Sequence, residues 1–378
     1  MQKPHIIRHS EVEVKLRNHL RASGLRPGDR LAGERELAIA LGIGRTGLRR
    51  ALQALEDEGV LERRPQSGTF LVEIPPPAAQ GQSVVLIAPF SETEAADRHH
   101  DAEWLYRVAS AFERLAISAG LRVITEDQSP RILEACSIKD MALEAADAGV
   151  QAVVLLHPAG TRAKIAHALA LLHDRGVHPL IVSSRTYPGM ASQVYFNSEW
   201  GTHLVMQHLL RKAHRRIGFA GAPGGHEWVR DRLNSYRSAL EAADIVPRAD
   251  WVWLQGEGER LASPEDGANA FSAWQKLPET IRPTAIVAAN DVVALGVLRA
   301  AQEAGVPIPE ALSLVGFDND PEAMLAGLTT VERPTDTLGE AAARVTLERL
   351  AAGFEAETVS VRLRPILIER RTVTAPAT

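Results

Sequence analysis

Cys136 is the only cysteine among 378 residues. No intrachain disulfide can form, and no cysteine cluster can hold a metal. Long apolar runs are missing too: none approaches the roughly 20 residues that a membrane helix needs. The opening stretch, MQKPHIIRHSEVEVKL, has charges and histidines where a secretory leader would have an unbroken apolar core. The signatures of common catalytic sites are also absent: there is no G-x-S-x-G, no H-E-x-x-H and no Walker A loop. Gly218, Gly221 and Gly224 follow a strand-like run, but glycines so spaced do not make a nucleotide-binding loop. These absences predict a cytoplasmic protein with no catalytic residues, no metal and no cofactor.

The 45% apolar and 24% charged fractions are those of an ordinary soluble chain, and its length suits two or three compact units. The net charge of -5 is unevenly spread. Residues 1–74 hold 13 Lys and Arg against 10 Asp and Glu, whereas the remainder holds 29 against 37. A basic segment ahead of an acidic body is what a DNA-binding module joined to another kind of domain would show. Pro75-Pro76-Pro77 and the following Ala-Ala-Gln-Gly-Gln mark a linker over residues 75–82, because proline favours extended chain and cannot continue a strand. The first domain is therefore expected over 1–74, with the second starting at 83.

Within the first domain, Val12, Leu16 and Leu20 recur at helical spacing, so a helix is expected over 10–23 with Ser10 as its cap. A short helix over 34–41 is broken by Gly42-Ile43-Gly44, and a third runs from Arg45 to Glu58 and stops at Gly59. Two short strands, 60–64 and 69–72, follow. At about 100° per residue, Leu48, Ala51, Leu52 and Leu55 share one side of the third helix. Arg45, Thr46, Arg49 and Gln53 lie roughly 120° away. One face packs, and the other presents two arginines a turn apart. Arginine can bond both acceptors of a guanine edge, so this face suits the major groove of DNA; an ordinary solvated helix would show the same two arginines.

The stretch LRPGDRLAGERELAIALGIGRTGLRRALQALEDEGVLERRPQSGTFL, residues 25–71, resembles the winged helix-turn-helix of the GntR family. The resemblance implies DNA contacts from Arg35, Arg45 and Arg49, and the shared helix face adds Thr46. It also implies that the wing tip, Ser67-Gly68-Thr69, enters the minor groove, where a glycine lets backbone approach closely. There are departures. Ala32-Gly33 replaces the usual Pro-Ser, Gly44 replaces a capping Ser, and Gly47 lies inside the recognition helix. The first wing glycine is missing from Pro65-Gln66-Ser67-Gly68.

Downstream, buried-type apolar runs over 84–88, 122–125, 152–156, 179–183, 216–220, 285–288 and 312–317 alternate with helical patterns such as 104–119, 201–211 and 291–303. That alternation predicts a parallel α/β sheet, and the number of units predicts two Rossmann-like lobes. In open sheets of this kind, ligands sit beyond the C-terminal ends of the strands. Asn290, Asp291 and Asp318 fall there. Asn, Asp and Arg supply the donors and acceptors that a hydroxyl-rich ligand requires, with Arg232 as a bidentate candidate. Asp291 could equally cap its helix, and Arg232 could equally make a structural ion pair. By position alone, Ser91 and Arg185 are further candidates. Trp104, Trp200, Trp251 and Trp253 are available to stack on a sugar ring, and none is singled out.

From residue 83 to about 373 the chain resembles the ligand-binding domain of the LacI family, which is similar to periplasmic sugar-binding proteins. The ordered blocks are FNSEWG (196–201), HRRIGF (214–219), RLNSY (232–236), PTAIVAANDVVALG (283–296), VGFD (315–318), LTTV (328–331) and LG (338–339). The resemblance implies effector contacts from Arg232, Asn290 and Asp318. It implies a first lobe over about 83–187 and 335–362, and a second over about 188–333 and 364–373. Chain crossings are expected near 185–188, 333–335 and 363–365. The whole is expected to be an α/β protein: an N-terminal winged helix-turn-helix plus a two-lobed, periplasmic-binding-protein-like domain, in the manner of arabinose-repressor-type regulators. It implies a homodimer that reads a pseudo-palindromic duplex operator as a repressor, with a sugar effector held between the lobes. A nucleobase or phosphorylated sugar, or an activator role, is the alternative. No membrane association is expected.

Overall fold

A computed structural model of the chain describes residues 11–65, 67–75, 81–90, 99–128, 137–158, 160–183, 186–222, 227–254, 256 and 262–376. In chain order it opens with α1 (Glu11–Ala22), α2 (Glu34–Leu41), α3 (Arg45–Asp57), β1 (Leu61–Arg64) and β2 (Gly68–Leu71). Next come β3 (Ser83–Ala88), α4 (His99–Ser118), β4 (Arg122–Asp127), α5 (Ile138–Asp147), β5 (Ala152–Leu156), α6 (Arg162–Asp174), β6 (His178–Val182) and β7 (Ser192–Phe196). They are followed by α7 (Ser198–Arg211), β8 (Ile217–Gly221), α8 (Glu227–Glu241), β9 (Val252–Leu254), α9 (Pro264–Gln275), β10 (Ala285–Ala288), α10 (Asp291–Glu303), β11 (Ser313–Val315), α11 (Pro321–Ala326) and β12 (Thr330–Glu332). The last elements are α12 (Thr335–Ala352), β13 (Ser360–Leu363) and β14 (Ile366–Ile368).

The chain divides into two compact units. The first holds residues 1–183, 187–194 and 336–361; the second holds 184–186, 195–335 and 362–378. The N-terminal three-helix module lies in the first unit. Its core is the side of α3 that the helical spacing picks out: Leu48, Ala51, Leu52 and Leu55 are all buried, packed with Leu16, Leu20, Leu37, Val60, Leu61 and Leu71. β1 and β2 pair antiparallel, with Leu61 opposite Leu71 and Arg64 opposite Gly68, and so form a short wing. Arg17 is buried beside this core and donates to both carboxylate oxygens of Glu58 at 2.6 and 2.5 Å. Ser10, expected to cap α1, lies outside the described residues.

The first unit also carries a sheet of order β13-β7-β6-β5-β3-β4, in which β7 through β4 run parallel. All five residues of β5 are buried, the pattern of a strand covered on both faces. In the second unit the order is β11-β10-β8-β9, all parallel. Alternation along β10 shows how this sheet is covered. Ala285 and Val287 join one apolar cluster with Phe219, Tyr236 and Val315, while Ile286 and Ala288 join another with Trp274, Val293 and Leu314. β12 and β14 form a separate antiparallel pair. The long apolar strands and the helices sit where periodicity predicts them. The apolar runs used to find strands do not pick out β7, β9, β12, β13 or β14. Three of these have only three residues, too few for a period of two to register.

Candidate functional site

Two separate groups of side chains answer the expectations. The first is on the N-terminal module. Arg45 is exposed in the first turn of α3, and Arg49, one turn on, is 67% exposed. Gly44 caps this helix with no side-chain hydrogen bond, as expected where a serine is missing. Arg35 is exposed on α2. Thr46 lies within α3. Glu34 is a residue the sequence pattern does not reveal. Its carboxylate accepts from Arg49 Nε at 2.8 Å and lies 3.7 Å from Arg63 on the wing strand. One acid thus lies beside arginines from α3 and β1 on the same surface, and sequence separations of 15 and 29 residues give no local sign of it.

At the wing tip Ser67 is exposed, and Gly68 and Thr69 begin β2 half-buried. Gly68 has φ of 109°, and a Cβ there would lie 2.7 Å from Arg30 Nε. The positive φ favours glycine, whereas the Arg30 side chain could swing away from a Cβ; glycine leaves the tip with little bulk. Arg64 lies over the Phe70 ring at 4.4 Å, which stiffens the two strands behind it. This module therefore presents an arginine-rich helix face and a narrow two-stranded tip.

The second group lies in the second unit, at the C-terminal ends of β10 and β11. Asn290 is the N-cap of α10: its side-chain oxygen accepts from Val293 N–H at 3.1 Å. Asp291 is wholly buried, and both its oxygens are used, one accepting from Thr330 Oγ1 at 2.6 Å and the other from Asp320 N–H at 2.9 Å. It fastens β12 and the turn after β11 to the start of α10. The cap that sequence offered as an alternative role for Asp291 belongs instead to Asn290, its neighbour. Asp318 lies 3.2 Å from Arg333 Nε and 3.7 Å from Arg232.

Arg232, on α8, is 3% exposed. It donates to the Ala289 carbonyl and, at 3.2 Å, to Ser198 Oγ, while its guanidinium lies 3.5 Å from the centre of the Phe317 ring. Burial pulls its pKa down to about 10, so it stays charged at neutral pH. The structure therefore brings Arg232, Asn290, Asp291 and Asp318 to one sheet edge, although they come from three chain segments. It adds Arg333, Asn319 and Arg370, which sequence reasoning did not assign to the site. Arg370 donates to Asn319 Oδ1 at 2.6 Å. Ser91 and Arg185, expected on the first lobe, lie outside the described residues.

Burial raises the Asp291 carboxyl to about 6, and the nearby negative charge of Asp318 adds to the rise. An unfolded aspartate titrates near 3.9, so between about pH 4 and 6 the folded chain keeps a proton that the unfolded chain has lost. Stability from this group is present below that window and is lost as pH rises through it, on the order of 3 kcal/mol in all. Asp291→Asn can accept from Asp320 N–H and donate to Thr330 Oγ1 without a charge. Its stability relative to the parent will grow between pH 4 and 7, as measured by urea midpoints. A difference that does not change with pH would refute the assignment.

Among the described residues no group of acids, histidines and cysteines is placed to hold a metal, and no helix is long and apolar enough to cross a membrane. Comparison with known proteins agrees with the two-part architecture. Residues 8–71 match the family of bacterial regulatory proteins named gntR, and residues 206–373 match the periplasmic binding protein-like domain. Over 209 residues the chain is 34% identical to the HTH-type transcriptional repressor PurR of Escherichia coli O1:K1 / APEC, a match that takes in 54% of this chain and 59% of that protein. A LacI family regulator from Enterococcus faecium with bound ribose superposes with a TM-score of 0.59 at 21% identity, over 78% of this chain and 99% of that one. The transcriptional regulator CelR in complex with cellobiose gives 0.61 at 21% identity, over 90% and 100%. The two solved structures share the fold. The chain is thus a gntR-type helix-turn-helix domain joined to a periplasmic-binding-protein-like domain, with LacI-family regulators as its structural neighbours.

Proposed function

We propose that the chain is a cytoplasmic, sequence-specific DNA-binding transcriptional regulator, a repressor without enzymatic activity, whose hold on its operator is set by a small-molecule effector. The observation that carries this reading is α3: one face is buried in the module's core, and the other extends Arg45 and Arg49 into solvent. A helix so presented can enter a major groove with its arginines toward guanine edges, and the tip at Ser67, Gly68 and Thr69 can follow the adjacent minor groove. We place the boundary between reader and sensor in the Pro-rich segment 75–82. A homodimer would set two such helices on the halves of a pseudo-palindrome.

For the effector, Arg232, Asn290 and Asp318 supply a cation, an amide and a carboxylate at one sheet edge, the groups that bind paired hydroxyls. A sugar fits them. The solved relatives bound to ribose and to cellobiose support that class. The presence of Arg333 and Arg370 on the same edge favours, as the second reading, a phosphorylated sugar. Asp291 contributes by holding the edge together.

The test is a titration of D-ribose, L-arabinose, cellobiose and ribose 5-phosphate into the full chain bound to a fluorescent fragment of its own promoter. An effector acts only through its different affinities for the two states, and couplings of about 5- to 150-fold are usual. One of these compounds will weaken operator binding by at least about tenfold. Operator affinity that none of them alters would remove the sugar-sensing half of the proposal and leave the DNA-binding half standing.

A further inference from the structure

The turn that carries Asp318 is unusual in its backbone. Asp318 has φ of 125°, a region that L-residues avoid, and Asn319 follows at φ of 60°, the left-handed region that asparagine tolerates. Such a conformation persists only where its surroundings hold it in place. The main chain is tied on either side: Asp318 N–H donates to the Val331 carbonyl at 2.8 Å, and Asp320 N–H to Asp291 at 2.9 Å. Between these ties the direction of the Asp318 carboxylate is set by side chains.

Arg232 is a weak candidate for that task. Its guanidinium is committed to the Ala289 carbonyl and Ser198 Oγ and packed on Phe317, and it stands 3.7 Å from Asp318. Arg333 is closer, with Nε 3.2 Å from Oδ1, and both side chains of that pair are 12% exposed. Its own main chain is held by the adjoining β12, which pairs with β14, and by Thr335 N–H donating to the Arg333 carbonyl at 2.8 Å. The contact is an ion pair without hydrogen-bond alignment, and in a largely dry setting its charge attraction orients a carboxylate more strongly than an exposed pair would.

We propose that Arg333 is the positioning residue of the effector site: it aims the Asp318 carboxylate at the ligand from a backbone turn that would otherwise relax. The proposal rests on the reading of Asp318 as an effector contact. It is tested in the full chain with Arg333→Gln, Arg333→Lys and Asp318→Asn, using the same four sugars as probes in calorimetric titrations. Amide exchange of the ligand-free proteins is followed in parallel. Arg333→Gln will weaken the responding sugar at least tenfold, and Arg333→Lys will recover most of that loss because the charge is kept. Without sugar, the Asp318 and Asp320 amides of Arg333→Gln will exchange at least fivefold faster than in the parent, while the Ala289 amide, bonded within the neighbouring sheet to the Ala220 carbonyl, keeps its rate.

Each departure has one meaning. Sugar affinity lost in Asp318→Asn but intact in Arg333→Gln overturns the positioning role and leaves the effector site standing. Affinity intact in both variants overturns the effector reading of Asp318 itself. If none of the four sugars binds, unchanged exchange in Arg333→Gln overturns the positioning role, and faster exchange at Asp318 and Asp320 alone supports it.

Discussion

Replacing Arg45 and Arg49 together by alanine will lower the affinity of the full chain for its operator at least about 25-fold, to the level of random duplex. Each arginine that bonds both acceptors of a guanine discriminates by roughly five- to 150-fold, and two independent contacts multiply. Both side chains are exposed, and the residues that hold α3 in place, Leu48, Ala51, Leu52 and Leu55, lie on its other side. The melting temperature should therefore move by no more than about 2 °C, as for most surface substitutions. Arg49 gives up an exposed pairing with Glu34, which contributes little in water. Fluorescence anisotropy with the promoter fragment and with scrambled duplex, at two salt concentrations, separates the outcomes. A double variant that still prefers the promoter would show that α3 does not read bases. Equal losses on promoter and scrambled duplex would show that the two arginines touch phosphates only.

Gly296→Ala will destabilise the second unit by about 3 kcal/mol or more, through a mechanism unrelated to any ligand. α9 and α10 meet backbone to backbone at two glycines. A Cβ on Gly296 would lie 2.0 Å from the Pro264 carbonyl oxygen, and one on Gly267 the same distance from that of Val293. No side chain can swing away from such a contact, because the obstacle is main chain. The helices would have to separate and open the cluster of Ala270, Trp274, Val293, Ala294 and Val297 that lies between them and the sheet. Alanine's better helix propensity, about 1 kcal/mol, cannot offset this. A loss of that size shifts melting by about 10 °C for a unit of this length, which circular dichroism or calorimetry resolves. A variant that melts within 2 °C of the parent would mean that α9 and α10 do not approach through these glycines.

The two predictions differ in how much of each was legible from sequence. The arginine face of α3 follows from spacing alone, because residues 45 and 49 are neighbours on any α-helix whatever surrounds it. The close approach at Gly296 does not. A glycine inside a helical pattern reads as a weakness until a second helix is seen against it. The effector edge is mixed in the same way. The C-terminal end of a strand could be located from its apolar run, so Asn290, Asp291 and Asp318 were expected there. Their roles could not be divided, since residues 290 and 291 are adjacent and a shift of one position in the helix start exchanges cap and interior. The fold placed Asn290 at the cap and sealed Asp291 beneath it.

What the amino-acid order determined by itself was therefore periodic and short in range: which segments are helices or buried strands, which face of α3 turns inward, and where a proline-rich break falls. These follow from the 3.6- and 2-residue repeats of the backbone, which need no knowledge of neighbours. Only the tertiary structure decided which polar groups meet. Glu34 with Arg49 and Arg63, Asp318 with Arg333, and Asp291 with Thr330 are separated by 15 to 39 residues. Whether two such groups end within 4 Å of each other depends on the register of every element between them, and no local repeat encodes that.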